Sequence, residues 1–594
     1  MAGFMRNAFE YLVLVFVGGS LSVGCVLPSD PPPAQTLGPV LEATGHIPVA
    51  NLQDKPAPKA EPTEKEKEAA EEARIEKRIR ATAHYAAGVA HRERGETEES
   101  LEEFYQAAIT DPSNEKVVME VIQMLLIAKQ QHKVFKLLIK ATEDKDAPAN
   151  LHALLAASYL ERKNYRLARV SAENAIRKGP QQIVGYKSLI QVHRAEIQDE
   201  KKRNQAIRKV LNQALKQKDV KTPFKIELAV TLQAFLLLDA SAGKELKPKI
   251  SKLLDDAWET KPENPLLLEA LSRGYQSSGS HDKAAEVMDL LLKKLPNNPL
   301  VLLQAARGHA LAGKLDQAKI HIDALLKKFP RNWQGHQLRA AIAMDQDEYP
   351  LATKHYREAI RLNPRVEQLY YDLVSALLSD DKPAEAGREL QEAVDRFEPN
   401  FLQSYFGAMI HLQQDRYAEA HTELLKAEEV AKKEDPERLT HFFYFQLGST
   451  AEQAKNYKAA EKYLRQSIKL KEDYATALNY LGYMWADRNE NLDEAKKFIA
   501  RALKEDPDNA AYLDSMAWVF FRKGDVKEAL RWQLKALKNS KEDDPELLMH
   551  LGQMYEATGD KKKAREYLTK ASAIKDVRAD IKAKIEAKLK ALDE

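Results

Sequence analysis

Residues 477–487, ALNYLGYMWAD, and residues 513–530, LDSMAWVFFRKGDVKEAL, decide the fold of this chain. In each stretch a large apolar residue precedes a small one, as in Leu481 with Gly482 and Met516 with Ala517. Small residues let two helices cross closely, and large apolar residues at helical spacing fill the seam between them. The two stretches therefore predict tightly paired helices.

The same pattern recurs along the chain at a fixed interval. The prolines at positions 262, 296, 330 and 364 are 34 residues apart, and the interval from 112 to 180 is twice that. Proline cannot continue a helix, so the series marks regular helix ends. A period of this length is the signature of an array of helix pairs.

These residues resemble the tetratricopeptide repeat, a helix-turn-helix unit, over residues 81–576. A third good match is formed by Leu551, Gly552, Tyr555, Gly559, Ala564, Leu568 and Ala571. The resemblance implies an all-α fold, a right-handed superhelical solenoid of about fourteen repeats with a long concave surface. Residues 115–145 and 183–262 match poorly and are expected to form degenerate repeats.

Both ends of the predicted array carry charged helices. Residues 64–80 alternate Glu, Lys, Ala and Arg, which predicts a solvated lead-in helix. Residues 577–594 predict a capping helix, because a solenoid must cover its last apolar face. Its apolar side is formed by Ile581, Ile585, Leu589 and Leu592.

Composition narrows the class of protein. The 594 residues include 91 basic and 89 acidic side chains and carry a net charge of +2. The protein therefore has no strong positive electrostatic field that would attract nucleic acid. A single cysteine, Cys25, excludes intramolecular disulfides and thiolate metal sites. Beyond the first residues no apolar run approaches the length of a membrane span.

The N-terminal residues predict an export signal. A short apolar stretch, 12–17, is followed by small residues, and Leu21-Ser22-Val23-Gly24-Cys25 resembles the bacterial lipobox, although Ser22 stands where leucine is usual. We therefore expect residues 1–24 to be a lipoprotein signal peptide and Cys25 to carry lipid. An ordinary signal peptide, an uncleaved anchor and a start at Met5 remain alternatives. The proline-rich residues 25–63 predict a disordered tether.

Catalytic chemistry finds no support in the sequence. Phosphate-binding, dinucleotide-binding, zinc-protease and nucleophile-elbow motifs are missing from it. His91, His309 and His411 occupy positions where other repeats have a seam tyrosine, and the pairs at 380–381 and 543–544 fall in predicted turns. We expect a protein without enzyme activity, cofactor, metal or small-molecule substrate.

A stripe of large side chains marks a candidate groove. The first helix of each repeat lines the inner surface. When each repeat is numbered so that its first small residue is position eight, positions five, nine and twelve of that helix share one face. Aromatic residues and methionine at such positions supply much of the energy with which proteins are bound. The alternative, that the stripe belongs to the seam, stays open. The groove residues are Tyr371, Tyr405, Met409, Phe445, Tyr483, Trp518 and Phe521.

The repeats together with the lipobox-like start are similar to large tetratricopeptide outer-membrane lipoproteins of Gram-negative bacteria. That family includes adaptors that bind a periplasmic carboxy-terminal processing protease and deliver cell-wall hydrolases to it. The resemblance implies a lipid-anchored scaffold that faces the periplasm and binds proteins. A structural component of an envelope secretion, pilus or polysaccharide-export machine and a cytoplasmic interaction protein with an uncleaved anchor are the alternatives.

Overall fold

The computed structural model describes residues 64–144, 147–575 and 577–593. These residues form 29 α-helices and two short 3₁₀ turns, and they contain no β-strand. The helices are α1 (Glu64–Glu93), α2 (Thr97–Thr110), α3 (Glu115–Ile127), α4 (Gln131–Thr142), α5 (Ala149–Glu161), α6 (Tyr165–Lys178), α7 (Ile183–Glu196), α8 (Glu200–Leu215), α9 (Thr222–Leu236), α10 (Gly243–Trp258), α11 (Pro265–Ser277), α12 (His281–Lys294), α13 (Pro299–Leu311), α14 (Leu315–Lys328), α15 (Trp333–Asp345), α16 (Tyr349–Leu362), α17 (Glu367–Ser379), α18 (Pro383–Arg396), α19 (Phe401–Gln413), α20 (Tyr417–Glu434), α21 (His441–Gln453), α22 (Tyr457–Leu470), α23 (Ala475–Asp487), α24 (Leu492–Glu505), α25 (Ala510–Arg522), α26 (Val526–Asn539), α27 (Pro545–Ala557), α28 (Lys561–Ser572) and α29 (Ala579–Asp593).

The helices follow one another in pairs. The first helix of each pair, called helix A here, joins the second, helix B, through a tight turn, and α29 follows the last pair. In every pair except α7 with α8 and α9 with α10, this turn has at least one residue in the left-handed region, which glycine adopts without steric cost. Gly313 has φ 72° there, and Asp347, at the same position one repeat later, has φ 57°.

Small residues lie where the helices of a pair cross, as the sequence pattern predicts. Gly482 of α23 faces α24 so closely that a Cβ atom would lie 2.6 Å from Cγ1 of Ile499. Ala495 and Ala502 of α24 are also fully buried at this crossing. Close approach of the two backbones is therefore built into the repeat.

The N-terminal part differs in detail from the predicted boundaries. The charged lead-in segment and the first helix of the first repeat form one continuous helix, α1. The predicted degenerate region contains two helix pairs, α7 with α8 and α9 with α10, and a 3₁₀ turn at Ala240–Ala242. Pro248 lies inside α10.

The chain divides into two compact units, which we call the N-terminal unit, ending at His321, and the C-terminal unit, beginning at Ile322. In the C-terminal unit, α29 covers Leu548, Met549 and Leu568 of the preceding pair and buries Ile581, Ile585 and Leu592, while Leu589 is half-buried. The described part of the chain contains no helix with both the length and the apolar character of a membrane span.

Candidate functional site

The A helices α23, α25 and α27 converge on one surface of the C-terminal unit, which we call the inner face. The hydroxyl of Tyr483 on α23 donates a hydrogen bond to Oε1 of Glu546 on α27, at 2.9 Å. Helix α25 lies between them in chain order, so the bond passes over it. Side chains two repeats apart can meet only on the concave side of such a row, which identifies this surface as concave.

Side-chain caps fix the start of the helices that carry this face. The Oδ1 atom of Asn509 accepts hydrogen bonds from the backbone of Ala511 and Tyr512, at 3.1 and 3.3 Å, and begins α25. Asp544 does the same for α27. Such caps satisfy backbone N–H groups that have no partner within the helix. They set the register in which the two helices present their inner-face residues.

A buried polar cluster lies beneath the inner face. The Nδ1 atom of His550 lies 2.9 and 3.2 Å from the two carboxylate oxygens of Asp514, and Gln533 donates to the same carboxylate at 2.6 Å. The ring of Trp518 stacks on His550 with a centroid distance of 4.1 Å. These four residues are all buried.

The cluster favours a positive charge on His550. Burial alone lowers the pKa of an imidazole, because it penalises the charged form. Asp514, in contact, together with the charges of Glu546 and Asp487, outweighs burial and raises the pKa of His550. The buried carboxylate of Asp514 thus stabilises the charged form of His550 beneath the inner face.

Acidic side chains also form the rim of the face. Glu452 accepts a hydrogen bond from the hydroxyl of Tyr480, at 3.0 Å, and burial raises its pKa. Asp487 is exposed and contributes to the raised pKa of both Glu452 and Tyr483. Arg578, paired with Asp580 at 2.9 and 2.6 Å, approaches this rim and acts on the pKa of Glu452.

The structure distributes the seven predicted groove residues between two environments. Tyr483 and Phe521 are half-buried and reach the inner face. The other five have at most 5% of their surface exposed, so packing within the unit accounts for them; they are Tyr371, Tyr405, Met409, Phe445 and Trp518. A partner can therefore contact fewer of these side chains than the sequence pattern predicts.

The five buried residues join successive A helices. Tyr405 of α19 donates a hydrogen bond to Oε1 of Gln446 on α21, at 2.9 Å, and Phe445 packs edge-on against Tyr480 of α23. The hydroxyl of Tyr371 on α17 accepts from Nδ2 of Asn400 at 2.8 Å. A large side chain at these positions bridges to the next repeat and becomes buried there.

Sequence reasoning missed Asp514, Glu546 and His550. A signal existed for Asp514, which occupies position five of the repeat whose positions nine and twelve are Trp518 and Phe521. A pattern defined by aromatic side chains does not include an aspartate. Glu546 and His550 lie outside positions five, nine and twelve of their repeat, so only the curvature of the helix row brings them to the site.

The remaining candidates lie as follows. Cys25 falls outside the described residues. His91 contacts Glu96 at 2.6 Å, and His411 is half-buried. Asp381 occupies the left-handed turn position, with φ 53°, and Asp544 caps α27. These aspartates serve the turn and cap that their positions predict.

Comparison with known proteins supports the repeat and leaves the partner open. The model of the tetratricopeptide repeat matches residues 67–115 and 303–367. A second model, described as regulator of microtubule dynamics protein 1-3, matches residues 443–593. No curated protein matches the chain at a significant level. With the helix pairs described above, the repeat matches show a tetratricopeptide-repeat solenoid.

Several solved structures show distant similarity. The hetero-tetramer Cut9-Hcn1 of APC/C is 14% identical, with a TM-score of 0.37, over 87% of this chain and 96% of that chain. A tetratricopeptide repeat protein of Parabacteroides merdae is 16% identical, with a TM-score of 0.30, over 48% of this chain and 93% of its own. The C-terminal part of a repeat protein of Cytophaga hutchinsonii is 17% identical, with a TM-score of 0.34, over 41% and 98%.

Proposed function

We propose that this protein is a non-enzymatic scaffold that binds a protein segment on the inner face of its C-terminal unit. The observation that carries the proposal is the joint presence of half-buried aromatic rings and carboxylates on one concave surface. Tyr483 and Phe521 offer apolar contact area, and the exposed carboxylate of Asp487 supplies negative charge at the rim. Aromatic anchors provide binding energy, and complementary charge provides selectivity.

The charge of the face indicates the chemistry of the partner. A segment with lysine or arginine beside an apolar residue would place its cation near Asp487 and its apolar side chain against Phe521. Cations also bind favourably over aromatic faces. An acidic segment would be repelled by the same surface.

Selection from a random peptide library tests this function. We expect the purified protein to enrich peptides with lysine or arginine next to an apolar residue. The double variant Asp487→Asn with Phe521→Ala should bind these peptides at least about tenfold more weakly, which is a loss of about 1.4 kcal/mol. Fluorescence anisotropy with labelled peptides measures the change.

A matched control separates the inner face from the rest of the surface. Leu534 is an exposed apolar residue on α26, and 43% of its surface is accessible. Leu534→Ala should leave peptide affinity unchanged. Enrichment of acidic peptides, or equal binding by the double variant and the wild type, would reject the proposal.

The cellular setting that we propose follows from the N-terminal sequence alone. Cleavage before Cys25 and lipidation of its thiol would anchor the repeats to the outer membrane, facing the periplasm, where a scaffold brings bound proteins together by raising their local concentration. Delivery of a substrate to a periplasmic protease is the use that we favour. An envelope secretion or export machine would use the same surface, and its pore would then co-purify with the protein.

Metabolic labelling tests the anchor. In a bacterial cell grown with a palmitate analogue, the wild-type protein should take up label and sediment with the outer membrane. Cys25→Ala should lose both properties, with Thr36→Ala, in the predicted tether, as the control that retains them. Unlabelled wild-type protein in the cytoplasmic fraction would favour the cytoplasmic alternative.

A further inference from the structure

Three consecutive helices bring metal-binding side chains of the N-terminal unit together. Asp289 lies on α12, His309 on α13 and His321 on α14. The Nε2 atom of His309 is 2.9 Å from Oδ1 of Asp289, and Nε2 of His321 is 3.4 Å from the same oxygen. The three ligand atoms all lie within 4.8 Å of one another.

This spacing suits one small divalent ion. Zinc binds imidazole nitrogen and carboxylate oxygen at about 2.0–2.2 Å, so two ligand atoms of a tetrahedral site lie about 3.3 Å apart. The observed separations of 2.9 and 3.4 Å bracket that value. Small rotations of the side chains are enough to place the three atoms around an ion.

The cluster is held rigidly on its buried side and is open to solvent on the other. Packing holds the side chain of His309, which is only 6% exposed, whereas 42% of the Asp289 side chain is open to solvent. An ion can enter from that side, and water can take the fourth position. The Nδ1 atom of His309 is buried without a hydrogen-bond partner. Because such a partner normally strengthens a histidine ligand, the affinity should be moderate.

Among the described residues, no lysine or arginine forms an ion pair with the carboxylate of Asp289; its close partners are the imidazoles of His309 and His321. Lys314, whose charge interacts with Asp289, is itself paired with Asp282 at 2.8 Å. One repeat later, the equivalent carboxylate of Asp323 lies 3.2 Å from the guanidinium of Arg339. Asp289 and Asp323 thus occupy the same position in two successive repeats. Asp289 faces two imidazoles that can bind a cation, and Asp323 faces the cationic guanidinium of Arg339.

We propose that Asp289, His309 and His321 form a binding site for a divalent transition-metal ion, with Zn²⁺ as the ion that these ligands suit. The ion would link α12 of one repeat to both helices of the next and so stabilise the end of the N-terminal unit. Two imidazoles and one carboxylate favour Zn²⁺ over Mg²⁺, which prefers oxygen ligands. The sequence alone predicts no metal site, because the three residues are brought together only by the packing of the repeats.

Titration of the metal-free full-length protein tests the site. We expect one Zn²⁺ per chain by calorimetry, no heat with Mg²⁺, and visible d–d absorption when Co²⁺ is added. Asp289→Asn and His321→Gln should each weaken Zn²⁺ binding by at least about tenfold. These two side chains are more exposed than His309, and equal circular dichroism melting curves in EDTA will show that the variants fold.

A histidine pair in the other unit provides the matched control. His336 and His355 of the C-terminal unit have their Nδ1 atoms 2.9 Å apart. His355→Gln should leave the affinity, the stoichiometry and the Co²⁺ spectrum unchanged. No Zn²⁺ binding by the wild type, or equal binding by Asp289→Asn and His321→Gln, would overturn the proposal.

Discussion

His550 is a buried imidazole whose charge depends on three carboxylates. Asp514 contacts it directly, and Glu546 and Asp487 act from further away, so that its pKa is raised despite burial. A group with a raised pKa in the folded state stabilises the fold most fully below its unfolded pKa of about 6.5. That contribution is lost as the pH rises through the folded pKa.

His550→Asn should therefore destabilise helix α27 more at about pH 6 than at about pH 9. Native-state hydrogen exchange measures the local opening free energy of the helix. His411 is the control, because burial, with a smaller effect from Arg416, lowers its pKa. The loss on His411→Asn, followed at α19, should be larger at the higher pH. Identical trends for the two variants would contradict this account.

At the scale of the element, replacing a glycine by alanine should lower the stability of the fold in one helix and raise it in another. Gly448 of α21 crosses α22 so closely that a Cβ atom would lie 2.8 Å from Cγ and 2.9 Å from the backbone nitrogen of Leu464. That nitrogen belongs to a helix and cannot move by itself. Gly448→Ala should lower the free energy of unfolding by about 1–3 kcal/mol.

Gly387 of α18 is the counterpart in open surroundings. A Cβ atom there would meet only Cγ2 of Ile410, at 4.0 Å. Gly387→Ala should raise stability by about 0.5–1 kcal/mol, because alanine loses less backbone entropy in a helix. Urea denaturation of both variants measures the difference, and destabilisation by Gly387→Ala would show that the helix crossing does not determine the sign.

The difference between local and long-range interactions explains how far the sequence predicts the structure. Proline at a helix end and glycine at a crossing act through local sterics, so the interval of 34 residues predicts the helix pairs. The contact of Asp514 with His550 joins residues 36 apart, and that of Tyr483 with Glu546 joins residues 63 apart. Such contacts depend on the curvature of the helix row, which small changes at every crossing determine together. For that reason the helix pairs could be predicted from the sequence, whereas the buried polar cluster and the burial of five of the seven predicted groove residues could not.

At the scale of the whole molecule, the main helix contacts join neighbours or next neighbours in chain order. A perturbation in such an array spreads through the interfaces of adjacent repeats. Its two ends are vulnerable because each terminal repeat lacks one neighbour. In the C-terminal unit, α29 substitutes for the missing repeat by covering Leu548 and Leu568.

Ile585→Asp should release α29 and expose that apolar surface. Ile585 is 1% exposed, and burying an unpaired carboxylate there would cost about 3 kcal/mol or more. Ala583→Asp adds the same charge on the exposed side of the helix and should have little effect. In hydrogen exchange, Ile585→Asp should lower protection in α27, α28 and α29 and leave residues 64–321 unchanged. Because α27 carries Glu546 and His550, the variant should also weaken peptide binding on the inner face. Loss of protection throughout both units would instead mean that the chain unfolds as a single cooperative body.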